Sequence, residues 1–274
     1  MGAGPRFKKP PVAEVALAVE FGELATLRTV QLALLWEYFQ QDYPTTEEHT
    51  PLPPISELLK MPAGPRVELA LVAEESSPRL WFIDKPGSKL IQIQRNRVGF
   101  NWRRFPSEVD YPSFDVVLAN FQTIAETLQT FVQERLGSLL QPTHCEVTYV
   151  DHVEVGGERG IRSAGDLGRL LDFWRPEGPV PSLGVPEEAG CFVRYPLGAA
   201  GPRGGRLSLQ IQPGIRRSDG IQLLVMQTTA QMGLKSNTWD SVWTDLNIAH
   251  KAATRMFLEV TRSEMQKLWG REDL

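Results

Sequence analysis

A chain of 274 residues, 42% hydrophobic and 23% charged, can bury a sizeable core, which excludes a disordered or fibrous polymer. Its formal net charge of -4 argues against wholesale phosphate binding, leaving at most a local basic face. Its two cysteines, Cys145 and Cys191, form no CxxC pair, and no apolar run is long enough to span a bilayer, so a soluble, cytoplasmic protein with buried free thiols is expected.

Past Pro10-Pro11, residues 12–21 form a buried strand rich in Val, Ala and Leu, ended by Gly22. Leu24, Leu27, Leu32, Leu35, Trp36 and Phe39 share a helical face and predict a helix over 24–41. It stops before Pro44, because the residue preceding a proline is pushed out of the α region. Pro51, Pro53, Pro54, Pro62 and Pro65 mark 45–65 as a surface connection with one short helical turn at 55–59. Runs at 67–73, 79–84, 89–94 and 97–103, separated by Ser76-Ser77-Pro78, Lys85-Pro86-Gly87-Ser88 and Arg95-Asn96, have the spacing of an antiparallel meander. Ser113 then opens a helix with the stripe Phe114, Val117, Phe121, Ile124, Leu128, Val132 and Leu136, closed near Gly137.

The second half follows the same order: a strand at 145–155, a short amphipathic helix at 164–174, a proline-rich connection at 176–186, and strands at 191–197, 206–212 and 222–231. A last helix over 239–269 carries Val242, Leu246, Ala249, Ala253, Met256, Val260, Gln266 and Trp269. Ile91-Gln92-Ile93-Gln94 in the first half is answered by Leu209-Gln210-Ile211-Gln212 in the second, each ahead of a long helix. The expected fold is α+β: two β-α-β(3-4)-α pseudo-repeats, 12–140 and 144–270, in one compact unit with antiparallel sheets backed by long helices. That is the layout of TATA-binding-protein-like and helix-grip folds, an analogy that carries no activity.

The proline and short strand at the start, Tyr43-Pro44, Leu80-Trp81-Phe82, Gln92-Ile93-Gln94, Asn101-Trp102-Arg103 with Tyr111-Pro112 and Phe114, and the closing Trp269-Gly270 span nearly the whole chain. In these features it resembles a sporadically distributed, functionally uncharacterised prokaryotic family of about this length. The resemblance supplies no catalytic residues. The patchy distribution implies mobile cargo, such as a defence or toxin-neutralising system.

Strand alternation sets Gln92, Gln94, Asn101 and Arg103 opposite Ile91, Ile93, Val98, Phe100 and Trp102, with Gln210 and Gln212 placed likewise in the second half. Such a face can hydrogen-bond a ligand or partner strand, or be an ordinary solvated face with cross-strand amide pairs; Phe100 and Trp102 are then core. Arg95, Arg97, Arg103, Arg104, Arg203, Arg206, Arg216 and Arg217 gather in the hairpin regions and suit phosphate contact, against the plainer reading of charged hairpin tips.

His144 and His152 share a strand face but lie roughly 26 Å apart, too far to chelate together. His250 is expected at a helix flank and His49 in the proline-rich loop, so no metal site is expected. No serine or cysteine nucleophile motif is present, and Gly201-Pro202-Arg203-Gly204-Gly205 lacks the lysine of a phosphate loop. Glu47-Glu48 and Glu187-Glu188 read as solubilising charge.

These features point to a non-enzymatic binding protein that meets a protein or peptide partner, with no cofactor and no membrane contact. The alternatives are nucleic-acid binding through the arginine-bearing hairpins and a small-molecule pocket between sheet and helix. Trp239, Trp243, Phe257, Met265, Leu268 and Trp269 exceed one helical stripe, which motivates a homodimer.

Overall fold

The computed structural model describes residues 6–22, 24, 26–55, 59, 77–105, 108–156, 160–175, 178–198 and 204–272. Among these residues nine strands form one sheet: β1 Val12–Phe21, β2 Thr45–His49, β3 Arg79–Ile83, β4 Lys89–Gln94, β5 Arg97–Arg103, β6 Pro142–Glu154, β7 Cys191–Pro196, β8 Gly205–Ile215 and β9 Gln222–Gly233. Their order is β2-β3-β4-β5-β1-β6-β9-β8-β7, with every neighbouring pair antiparallel. The helices are α1 Thr29–Leu35, α2 Phe114–Leu136, the single turn α3 Leu167–Leu170, α4 Trp239–Val260 and α5 Ser263–Leu268. The molecule is thus an α+β protein.

The opening strands of the two halves, β1 and β6, pair at the centre. Each half then continues outward through its last strand, β5 or β9, and back along its meander to an edge, β2 or β7. Both long helices cover the same face, α2 over β1 and β5, α4 over β6 and β9. Val15, Leu17, Val19 and Phe21 alternate toward those helices, meeting Phe121, Leu128, Leu246 and Ala249 in the main core. Phe100 and Trp102 lie in that core at 1% and 4% exposure. A second cluster gathers Leu167, Leu170 and Leu171 with Met256, Val260, Met265 and Trp269 under the far end of α4.

α2 is locally determined: the Ser113 hydroxyl accepts from the Val116 amide, and Gly137, at φ 60, turns left-handed to end it. The last helix is not the single rod that periodicity predicts. Thr261 is extended and bridges Leu171, while the Arg262 amide donates to the Leu170 carbonyl at 2.9 Å. Gln266, 3% exposed, donates to the Leu258 and Thr261 carbonyls at 2.8 and 2.9 Å, so the one polar member of the stripe closes the end of α4.

The same capture reduces the predicted helix at 164–174 to the turn α3. The helix predicted over 24–41 is shorter too, giving way to a 3-10 turn at Trp36–Tyr38. Thr45–His49, read from sequence as loop, is the edge strand β2; its polar, exposed residues carry no hydrophobic alternation. His49 therefore sits on a strand, its ring stacked 3.8 Å from Trp81. Ile55 and Leu59 have helical backbone, whereas 56–58, the strand predicted at 67–73, and Arg203 lie outside the described residues.

The surplus aromatic residues of the last helix are largely covered from within. Trp243 meets Phe121 edge-on, Phe257 packs against Trp269 and Phe7, and Leu268 stays exposed. Among the described residues no helix is long and apolar enough to cross a membrane.

Candidate functional site

The face of the sheet opposite α2 and α4 has a floor of small residues. Ala16 and Ala18 on β1 stand beside Asn101 and Gly99 on β5, and a side chain on Gly99 would press within 3.1 Å of the Leu17 carbonyl. Longer polar side chains surround this floor and leave a recess of about 380 Å³. The polar side of β4 and β5 faces it, as strand alternation requires.

In the first half these groups bond to one another. Arg79 donates to Gln92 at 2.8 Å, Gln92 to Asn101 at 2.8 Å, and Asn101 to the Glu14 carboxylate. Burial raises the Glu14 pKa, partly offset by Asn101 and by Arg103. Arg103 also lies over the Trp81 ring, 6.0 Å from its centroid. Arg97 on β5 and Glu146 on β6 form an ion pair of 2.7 Å that joins the halves, and Gln231 donates to the second Glu146 oxygen at 2.7 Å.

The proline-rich connection after β2 is gripped by this face. The Leu52 amide donates to Gln94 Oε1 at 3.0 Å, and Gln94 Nε2 donates back to the Leu52 carbonyl at 3.0 Å. Pro51, Pro53 and Pro54 hold this stretch extended, so its backbone groups have no helix or ladder to join and take a side-chain amide instead. Three residues on, the Ile55 amide donates to Glu20, which also meets His144 at 3.2 Å. Gln94 is 4% exposed as a result, and Ile55 is fully buried.

The matching strand of the second half is open. β8 is the third strand from the centre, as β4 is in the first half. Gln210 and Gln212 on β8 are exposed and bonded to each other at 3.1 Å. Phe192, on the edge strand β7 opposite Gln210, is 41% exposed with Arg194 over its ring at 5.8 Å. The second proline-rich connection turns elsewhere: the Pro186 carbonyl occupies the space a Gly165 side chain would need, and the Ala189 amide donates to the Ala164 carbonyl.

The arginines do not converge. The register puts the β4–β5 hairpin with Arg95 at the Phe21 end of β1, and the β8–β9 hairpin with Arg216 and Arg217 at the opposite end of the strands. Arg97 is paired with Glu146, and Arg216 with Glu154 and Asp219 at 2.9 and 2.6 Å. Arg104 donates to the Pro10 carbonyl and Arg206 to the Gly205 carbonyl.

His144 and His152 stay apart on the face of β6 opposite α4. Among the described residues no group of three or more His, Cys, Asp or Glu could hold a metal ion. His250, expected at a flank, instead lies between sheet and helices, stacked on Phe114 at 3.9 Å and hydrogen-bonded to Tyr149 at 2.7 Å. Its position on the α4 stripe, one residue after Ala249, was the only signal in the sequence. No family model and no curated protein matches the chain.

Proposed function

We propose that the protein is a non-enzymatic binding module for an extended, proline-containing peptide segment of a partner protein, taken up on the open polar face around Gln210, Gln212 and Phe192. One observation carries it: Gln94 already holds such a segment in cis, through both backbone groups of Leu52. Gln212 belongs to the matching Ile-Gln or Leu-Gln pattern on the matching strand, and among the described residues its side chain bonds Gln210 and no backbone. An exposed aromatic ring beside amide donors and acceptors is the chemistry that docks proline-rich chains, whose preformed extended backbone loses little entropy on binding. The mirrored strand order of the two halves supports treating them as internal repeats, one covered by the Leu52 stretch and one open. In the setting the family resemblance implies, the partner is another component of a mobile defence or toxin-neutralising system.

The test is selection of displayed random peptides on the immobilised protein, in parallel with a Gln210→Ala, Gln212→Ala variant. Enrichment of proline-containing sequences on the unaltered protein and its loss on the variant is the expected result. Equal enrichment on both, or none on either, removes this function.

A further inference from the structure

On the opposite side of the sheet a second cavity, of about 850 Å³, opens between β6, β9, the start of α2 and the middle of α4, closed at one side by residues 6–12. That volume is in the range of sites for small organic ligands. Two polar groups stand at its buried end. Asp151 is 4% exposed and makes no side-chain hydrogen bond among the described residues. Thr228 is 1% exposed and its hydroxyl has no partner among the described residues. Buried polar groups left in this state are uncommon, because each forgoes its bonds to water without replacement.

The aromatic lining, by contrast, is already satisfied. Tyr149 and His250 bond to each other, Phe114 stacks on the His250 ring at an interplanar angle of 6°, and Tyr111 lies 3.5 Å from the Tyr149 hydroxyl. These rings offer faces rather than donors. The other acids lining the cavity, Asp110, Asp115 and Glu272, are exposed, and its cations Arg6, Lys8, Arg104 and Lys251 make no ion pair with Asp151 among the described residues, so one carboxyl stands at the buried end. Arg104, the nearest guanidinium, directs a donor to the Pro10 carbonyl.

We infer that this cavity is a binding site for a small organic molecule carrying a basic nitrogen, an amine or amidine on an apolar or aromatic body, with the nitrogen donating to Asp151 and the body held among Tyr111, Phe114 and Tyr149. An N–H cation supplies the donor Asp151 lacks and is attracted by the ring faces around it. Thr228 is placed to accept a second N–H from the same nitrogen or to donate to a neighbouring acceptor on the ligand. Burial raises Asp151 to about 7 despite Arg104, consistent with a carboxyl whose charge awaits a counterion.

The site is independent of the peptide face, since Gln210 and Gln212 lie on the other side of the sheet. Benzylamine and benzamidine are the probes, with benzyl alcohol as the uncharged control, each added in the millimolar range and read by calorimetric titration and thermal midpoint. Both cations are expected to bind and raise the midpoint, and the alcohol to do neither. Asp151→Asn, which keeps the shape, weakens the cations at least about tenfold. Thr228→Val weakens them by a smaller factor and serves as the reading if the first variant does not fold. Gln212→Ala leaves binding unchanged. Equal binding of alcohol and amines, unaltered binding in both cavity variants, or no binding of either cation overturns the inference.

Discussion

The two halves of the sheet carry nearly the same words in different states. Ile91-Gln92-Ile93-Gln94 and Leu209-Gln210-Ile211-Gln212 both alternate an apolar side toward the long helices and an amide side away from them. In the first half the amide side is closed by the chain's own Pro51–Ile55 stretch; in the second the corresponding amides see solvent. Strand chemistry sets which way a glutamine points, and the path of a distant connection decides whether it has anything to hold.

The largest effect expected from this contrast lies at the seam between the halves. Replacing Arg97 by Met leaves the largely covered Glu146 carboxylate with Gln231 alone, and costs about 3 kcal/mol in urea unfolding. Arg206→Met, on the second half of the same face, changes stability by less than about 0.5 kcal/mol. Similar losses for the two variants would break the contrast.

The helix side of β6 sharpens it through pH. With Asp151 raised from 3.8 to about 7 by burial, the folded chain holds a proton that the unfolded chain has released between those values, so this group's contribution falls as pH rises through the window. His250 acts in the other sense. Burial lowers it from 6.5 to about 4, so the unfolded chain binds the extra proton between those values and stability rises with pH there. Asp151→Asn removes only the first effect. Its stability relative to the unaltered protein should climb between pH 4 and 7, by up to about 4 kcal/mol, in denaturant unfolding at stepped pH. A difference that is flat with pH contradicts the burial of that carboxyl.

A smaller effect separates the glutamines themselves. Gln94→Ala strands the amide and carbonyl of Leu52 and costs about 1–3 kcal/mol, whereas Gln212→Ala stays within about 0.5 kcal/mol. Hydrogen exchange at the Leu52 amide should accelerate in the first variant and not in the second.

Much of this frame is legible in the sequence. β1, β4 and β5 follow from alternation and breakers, and α2 from Ser113, its stripe and Gly137, because each is decided by neighbours a few residues away. The polar face is equally legible, since period two in a strand fixes sides.

What escapes is whatever depends on a distant partner. Thr45–His49 becomes a strand only because β3 offers it an edge. The α4–α5 break is made by Leu171 and by the reach of Gln266, neither of which disturbs the helical period. His250 reads as a flank residue until Phe114 and Tyr149 are brought to it from elsewhere in the chain. The difference between Gln94 and Gln212 lies in the courses of two proline-rich connections, which composition alone makes look alike.

Side-chain amide exchange tests the central claim most directly, because it reads both glutamines in one sample. In the free protein the Gln94 amide protons should exchange slowly and those of Gln212 fast. A display-selected proline-containing peptide should slow Gln212 while leaving Gln94 as it was. Gln212 already as protected as Gln94 in the free protein, or a bound peptide that protects neither Gln210 nor Gln212, would contradict the account of one occupied and one open face.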